Sequence, residues 1–238
     1  MEGRGEAEWL GETSRELGVP LAAWQIERLL VFAGRLLEAT QRVNLTGIRE
    51  REGVLVKHLL DSLTAATLVD PLEEGRAVDV GSGAGFPGIP LAVARPRLLV
   101  FLVEAVRKKA AFLQQAAAEL ELANVQVVAE RAEELGHRPG WRETADWAFA
   151  RAVGSLAASA ELCAPLVRVG GRVVVMKGPG VEEEWEAGLQ HARRGGLELA
   201  ERRALSLPGG IRRVLVVLEK RGPSPPRWPR RPGRVGRP

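Results

Sequence analysis

The chain has a single cysteine, Cys163, and three histidines in 238 residues. One thiol cannot close an internal disulfide, and three scattered imidazoles beside one thiol make a poor set of metal ligands. Disulfide scaffolds and zinc enzymes fall away. No stretch approaches the roughly 18 consecutive apolar residues that a membrane span needs, and the charged N-terminus lacks the apolar run of a secretory signal. The expectation is a cytoplasmic protein with no membrane and no metal. Lysine is scarce too, five against twenty-nine arginines, which indicates a general compositional bias.

What is present is a globular composition, with 45% hydrophobic and 27% charged residues. Disordered, collagen-like and coiled-coil chains are excluded on that ground. The length suits one large domain, or one domain with an appended element. The net charge is +4, yet residues 223–238 hold five arginines and no acid, so the remainder carries −1. Those sixteen residues include six prolines and only Trp228 and Val235 as large apolar side chains. They read as a disordered tail that cannot bury enough surface to offset its ordering entropy. A basic arm suits an anionic polymer such as RNA through counterion release. Arg/Pro-rich ends also arise from compositional drift.

Residues 1–72 carry apolar side chains at helical spacing, with Leu21, Trp24, Leu29, Phe32 and Leu36 on one segment and Val54, Leu55, Leu59 and Leu63 on another. Trp24 is expected in the core. Val19-Pro20 and Asn44-Leu45-Thr46-Gly47 separate the helices. From about Arg76 short β-rich runs at 77–80, 98–103, 125–128, 147–149, 172–176 and 214–218 alternate with helical stretches. This alternation predicts an α/β fold: a doubly wound, mostly parallel sheet over residues 73–222 with an N-terminal helical cap. Cys163 falls in an apolar helical run and reads as a small buried hydrophobe.

The most informative stretch runs from Asp79 through Val80, Gly81, Ser82, Gly83, Ala84, Gly85, Phe86 and Pro87 to Gly88. An apolar strand enters three alternating glycines, and a proline suited to a first helical turn follows. Such a turn lets a ligand approach the backbone at a helix start. Glycines at spacing two and three also satisfy the dinucleotide pattern, so a nicotinamide or flavin enzyme enters consideration. Asp79 argues against it: an acid two positions before the first glycine resembles the first motif of class I methyltransferases that use S-adenosyl-L-methionine. Glu104, twenty-three residues after Gly81, ends the next strand, where a carboxylate accepts hydrogen bonds from both hydroxyls of a ribose.

Further motifs are Asn44-Leu45-Thr46, Lys57-His58 with Leu60-Asp61-Ser62, and Arg107-Lys108-Lys109 with Phe112-Leu113. Arg131-Ala132-Glu133-Glu134, Arg151-Ala152 and Met176-Lys177-Gly178 follow. In this order, over roughly residues 40–220, the chain resembles the bacterial 16S rRNA guanine-N7 methyltransferases known as RsmG or GidB. The resemblance implies a Rossmann-like class I methyltransferase fold and methyl transfer from S-adenosyl-L-methionine to N7 of guanine 527, in the usual rRNA numbering, near the decoding site. It implies 16S rRNA or the small ribosomal subunit as partner, and a monomer is expected. The cofactor motifs by themselves do not specify the acceptor, so methylation of another RNA base or of a protein, or a non-catalytic role as an RNA-binding assembly factor, stays open. Carried over by position, the cofactor contacts are Asp79, Gly81, Gly83, Gly85, Phe86, Glu104, Ala105, Val106, Ala132, Glu133 and Arg151. The family's more usual acid at 104 is Asp. Guanine N7 has an in-plane lone pair and no proton, so no general base is required and positioning carries the reaction.

No residue is therefore assigned as acid or base. Arg151 and Lys177 are positioning candidates, each with an ordinary alternative as a strand-end ion pair or a solvated lysine. Substrate-side candidates are Asn44, His58, Asp61, Arg107, Lys108, Lys109, Lys177 and Arg212. The three cations that open a helix at 107–109 are unfavourable with its dipole, which suggests an RNA-facing patch or a solvated charge run. His58 and Asp61, three apart on one helix face, read equally as a structural pair.

Overall fold

The computed structural model describes residues 5–236; Arg237 and Pro238 of the tail lie outside the described residues. Two amphipathic helices, α1 (Glu6–Glu16) and α2 (Ala23–Thr40), open the chain. They are followed by α3 (Arg51–Val54), a π-helical stretch (Leu55–Leu60) and α4 (Asp61–Ala66). The expected alternation then begins with β1 (Gly75–Val80), α5 (Gly88–Ala94), β2 (Leu98–Val103), α6 (Arg107–Glu119) and β3 (Val125–Val128). It continues through α7 (Ala132–Leu135), β4 (Ala145–Arg151), α8 (Leu156–Cys163), β5 (Val167–Lys177) and α9 (Trp185–Arg194). The chain closes its sheet with β6 (Leu197–Leu207) and β7 (Ile211–Lys220).

The sheet order is β3-β2-β1-β4-β5-β7-β6, with β1 to β5 parallel and β7 antiparallel to both its neighbours. Apolar residues on one face of the sheet pack against α5, α6 and the N-terminal helices, in a core that includes Leu29, Phe32, Leu63, Ile89 and Leu113. The other face packs against α7, α8 and α9 through residues such as Leu135, Leu156 and Leu189. Cys163 is buried there. The N-terminal section therefore shares a core with the sheet, and the buried Gln25 amide donates to the Val93 carbonyl of α5 at 2.7 Å.

Three expectations are corrected. A strand at 197–207 was not anticipated, because β6 is an edge strand whose buried residues are its two ends, Leu197 and Leu207, and it gives no apolar run. Trp24 is 43% exposed. It stands one position off the buried stripe of Gln25, Leu29, Phe32 and Leu36, with the Arg28 guanidinium 5.0 Å above its ring.

The third correction concerns the tail, which is ordered as far as Gly236. Trp228 is buried and stacks on His191 with ring centroids 4.9 Å apart. The Arg142 guanidinium donates to the carbonyls of Trp228 (2.8 Å), Ser224 (3.0 Å) and Pro225 (3.0 Å), supplying donors that a proline-rich chain lacks. Arg230 forms a two-pronged pair with the buried Glu161, at 2.8 and 2.7 Å. Composition missed this because the groups that order the tail belong to α8, α9 and the segment before β4.

Candidate functional site

The turn after β1 is folded over the end of β2. The amides of Gly81 and Ser82 both donate to the Val103 carbonyl, at 2.9 and 3.0 Å. Gly81, Gly83 and Gly85 have φ of +69°, +57° and +97°, the left-handed region open to glycine. Asp79 lies beneath, fully buried, and its Oδ2 accepts from the Gly88 amide at 3.0 Å where α5 starts. A side chain at 88 would collide with Leu102 and sit 2.7 Å from that oxygen, so the close approach requires glycine. Asp79 Oδ1 has no partner among the described residues. Burial pushes this carboxyl up to about 7, with the Gly88 amide acting the other way.

Glu104 immediately follows β2. Its Oε2 accepts from the Gly83 amide at 2.9 Å and its Oε1 from the Val106 amide at 2.7 Å. The amides of Gly85 and Phe86, where a dinucleotide turn would meet a diphosphate, both donate to the Ser82 carbonyl, at 2.7 and 3.0 Å, and so are not free for a phosphate. A Cβ built at Gly83 would meet only the Gly81 carbonyl, at 3.8 Å, so the approach to the turn is open. Ala105 and Val106 are exposed beside Glu104, and Ala132 and Glu133 open α7 after β3. These positions gather at the carboxyl ends of β1, β2 and β3, where open α/β sheets bind ligands. The set fits S-adenosyl-L-methionine: a braced acid with lone pairs left for ribose hydroxyls, open glycine backbone and no cradle for phosphate.

A second cluster stands beside the turn. Phe86 stacks on His58 with ring centroids 4.5 Å apart, and the Arg151 guanidinium, at the end of β4, lies 5.4 Å from the Phe86 ring. Arg151 donates to His58 Nδ1 (2.6 Å) and Ser62 Oγ (3.2 Å) and pairs with Asp61 Oδ2 (3.2 Å). Arg213 binds the other oxygen of Asp61 at 2.9 Å. Because His58 Nδ1 accepts from Arg151, its Nε2 carries the proton and donates to Thr46 Oγ1 at 2.7 Å. Burial, and then the Arg151 charge, hold the imidazole down at about 4, so it is neutral at pH 7.

This sets a pH signature. Between pH 6.5 and 4 the unfolded chain binds a proton at His58 that the folded chain refuses, so stability is lost as the pH falls through that window. His58→Phe keeps the stack on Phe86 and removes the titration. Its denaturant midpoint, relative to the native protein, is expected to rise from about pH 7.5 to about pH 4.5. A pH-independent difference would show that His58 is not held neutral.

Other sequence candidates are dispersed. Lys177 binds the Gly154 carbonyl and Glu184 Oε1 (2.7 Å), while Glu184 Oε2 accepts from the Leu156 amide (2.9 Å), so Lys177 fixes the loop between β4 and α8. Arg107 and Lys108 are exposed and Lys109 half-buried in the first turn of α6, and Asn44 is exposed between α2 and α3. Arg212 is exposed at the start of β7, and its neighbour Arg213 is the one that reaches Asp61. The period of two along a strand puts that pair on opposite faces without saying which face meets Asp61. Thr46 and Ser62 lay inside motifs already noted without being singled out, and no sequence signal pointed to Glu184.

Solved structures share the architecture. The crystal structure of a mutant 16S rRNA (adenine(1408)-N(1))-methyltransferase from Catenulisporales acidiphilia is similar at TM-score 0.52 and 16% identity, covering 65% of this chain and 93% of that one. M. jannaschii TYW2, in complex with AdoMet, is similar at TM-score 0.50 and 18% identity, covering 63% and 70%. Together with the sheet order and the glycine turn, these define a class I methyltransferase fold. The family described as "GidB: rRNA small subunit methyltransferase G" matches residues 25–203. Curated proteins called ribosomal RNA small subunit methyltransferase G are 43% identical in Pelotomaculum thermopropionicum, over 95% of each chain, and 40% identical in Bacillus cereus, over 92% of each. The chain belongs to this rRNA small subunit methyltransferase G family and is an enzyme of the methyltransferase class.

Proposed function

We propose that the protein methylates N7 of a single guanine in 16S rRNA, position 527 in the usual numbering, using S-adenosyl-L-methionine. The observation that carries the cofactor is the glycine turn whose Gly85 and Phe86 amides are taken up by the Ser82 carbonyl, with Glu104 braced beside it by the Gly83 and Val106 amides. Family membership carries the rRNA acceptor. When bound, the cofactor supplies an electrophilic methyl on a cationic sulfur. Glu104 would take the ribose hydroxyls, Ala105, Val106, Ala132 and Glu133 would border the base, and the turn from Gly81 to Phe86 would carry the remainder.

Guanine N7 needs no deprotonation, and this matches the residues beside the turn. His58 has both ring nitrogens engaged. Arg151 is committed to His58, Ser62 and Asp61, so it holds the Phe86–His58 stack in place. Positioning and water exclusion are what this cluster can contribute. N7 lies on the deep-groove edge that side chains cannot read in A-form RNA, so the acceptor is an unpaired base. The proposed partner is 16S rRNA or the small subunit, met by a monomer in the cytoplasm.

The test is incubation with methyl-labelled S-adenosyl-L-methionine and small subunits lacking the modification, followed by nuclease digestion and mass spectrometry. Labelled 7-methylguanosine at one loop position is expected. Label on another atom or base would overturn the acceptor, and none in RNA despite cofactor binding would overturn the reaction.

A further inference from the structure

A groove of about 300 Å³ runs between α2 and α6. Phe112, Val43 and Leu45 form its apolar floor, and at its far end Arg35 and Glu119 close it with a 3.0 Å ion pair. At the near end stand Arg42 and Lys108, both exposed and neither with a side-chain partner among the described residues. Here α2 ends and α6 begins, three residues after Glu104. The near end therefore opens at the carboxyl edge of the sheet, beside the candidate cofactor site. Leu45 is followed by Thr46, whose hydroxyl holds His58 on Phe86, so the floor continues into the cluster next to the glycine turn.

An aromatic and aliphatic floor ending in two unpaired cations matches a nucleotide, with its flat apolar base and its anionic phosphate. A purely apolar helix or peptide would leave both charges unanswered. We infer that this groove takes an unpaired nucleotide flanking the methylated base, with the base against Phe112 and Leu45 and the phosphate between Arg42 and Lys108. The inference rests on the proposed rRNA substrate.

The experiment measures methyl transfer to small subunits lacking the modification, across a range of salt, with the full chain. Arg42→Glu and Lys108→Glu are each expected to raise KM for the subunit by about tenfold and to lower the salt slope of log KM by about one, leaving cofactor affinity unchanged. Phe112→Leu keeps an apolar floor without the ring and should raise KM about fivefold. Arg193→Glu, on α9 across the sheet, has the same change in net charge and should leave KM unchanged. Phe112 also packs against Phe32, so a lowered melting temperature in that variant leaves the decision to exposed Arg42 and Lys108. An unchanged KM in both charge variants, or an equal rise in Arg193→Glu, would overturn the groove while native activity still upheld the substrate. A native protein that methylates no RNA would overturn both.

Discussion

A chain ended at Gly222 is expected to lose about 3–5 kcal/mol of folding stability, read as a shift in denaturant midpoint at an almost unchanged slope. Glu161 is fully buried, and Arg230 and Gly236 of the tail supply most of what compensates it. Besides the two-pronged Arg230 pair, the amides of Arg230 and Gly236 donate to it at 2.9 Å each. His191, at 2.8 Å, is the partner that would remain. Burial alone would raise this carboxyl, but Arg230, the two amides and His191 outweigh it and hold it at about 2, below the ordinary 4.5. The Glu161 contribution is therefore complete above pH 4.5 and lost as the pH falls towards 2, so the two chains should differ less in acid. Loss of buried Trp228 adds to the deficit. Full-chain Glu161→Gln, which keeps the shape, should cost less than the truncation. A truncated chain with the native midpoint would show that the tail contributes nothing to the fold.

Glu104→Ala is expected to weaken S-adenosyl-L-methionine binding by at least about 100-fold. Two hydrogen bonds from ribose hydroxyls to a carboxylate contribute about 1.5–3 kcal/mol each, and about 3 kcal/mol already corresponds to that factor. The substitution also frees the Gly83 and Val106 amides, so the turn loses its brace. Glu104→Asp, one methylene shorter, should stay within about tenfold, because the loop needs only a small shift to restore the contact. Calorimetry with the cofactor alone reads both variants, and thermal melting confirms that they fold. Affinity of Glu104→Ala within threefold of the native protein would remove Glu104 from the cofactor site.

Much of the candidate cofactor site was legible because it is local in sequence. The turn from Asp79 to Gly88 encodes its own conformation, with glycines where φ is positive or where backbone and carboxylate meet. The core strands announced themselves as apolar runs, since strands covered on both faces leave few polar positions. The role of Asp79 was less visible: its placement matched the methyltransferase pattern, and the structure shows it fastening the start of α5 from below the turn.

The sequence by itself therefore determined the α/β order, the glycine turn with its two acids, and the family resemblance. Only the tertiary structure decided that Arg213 rather than Arg212 reaches Asp61, 152 residues away, that β6 completes the sheet edge, and that the tail is ordered. The physical reason is range. Periodicity and turn chemistry act within a few residues, whereas an ion pair or the burial of Trp228 depends on groups that the chain brings together only once the sheet and helices have packed.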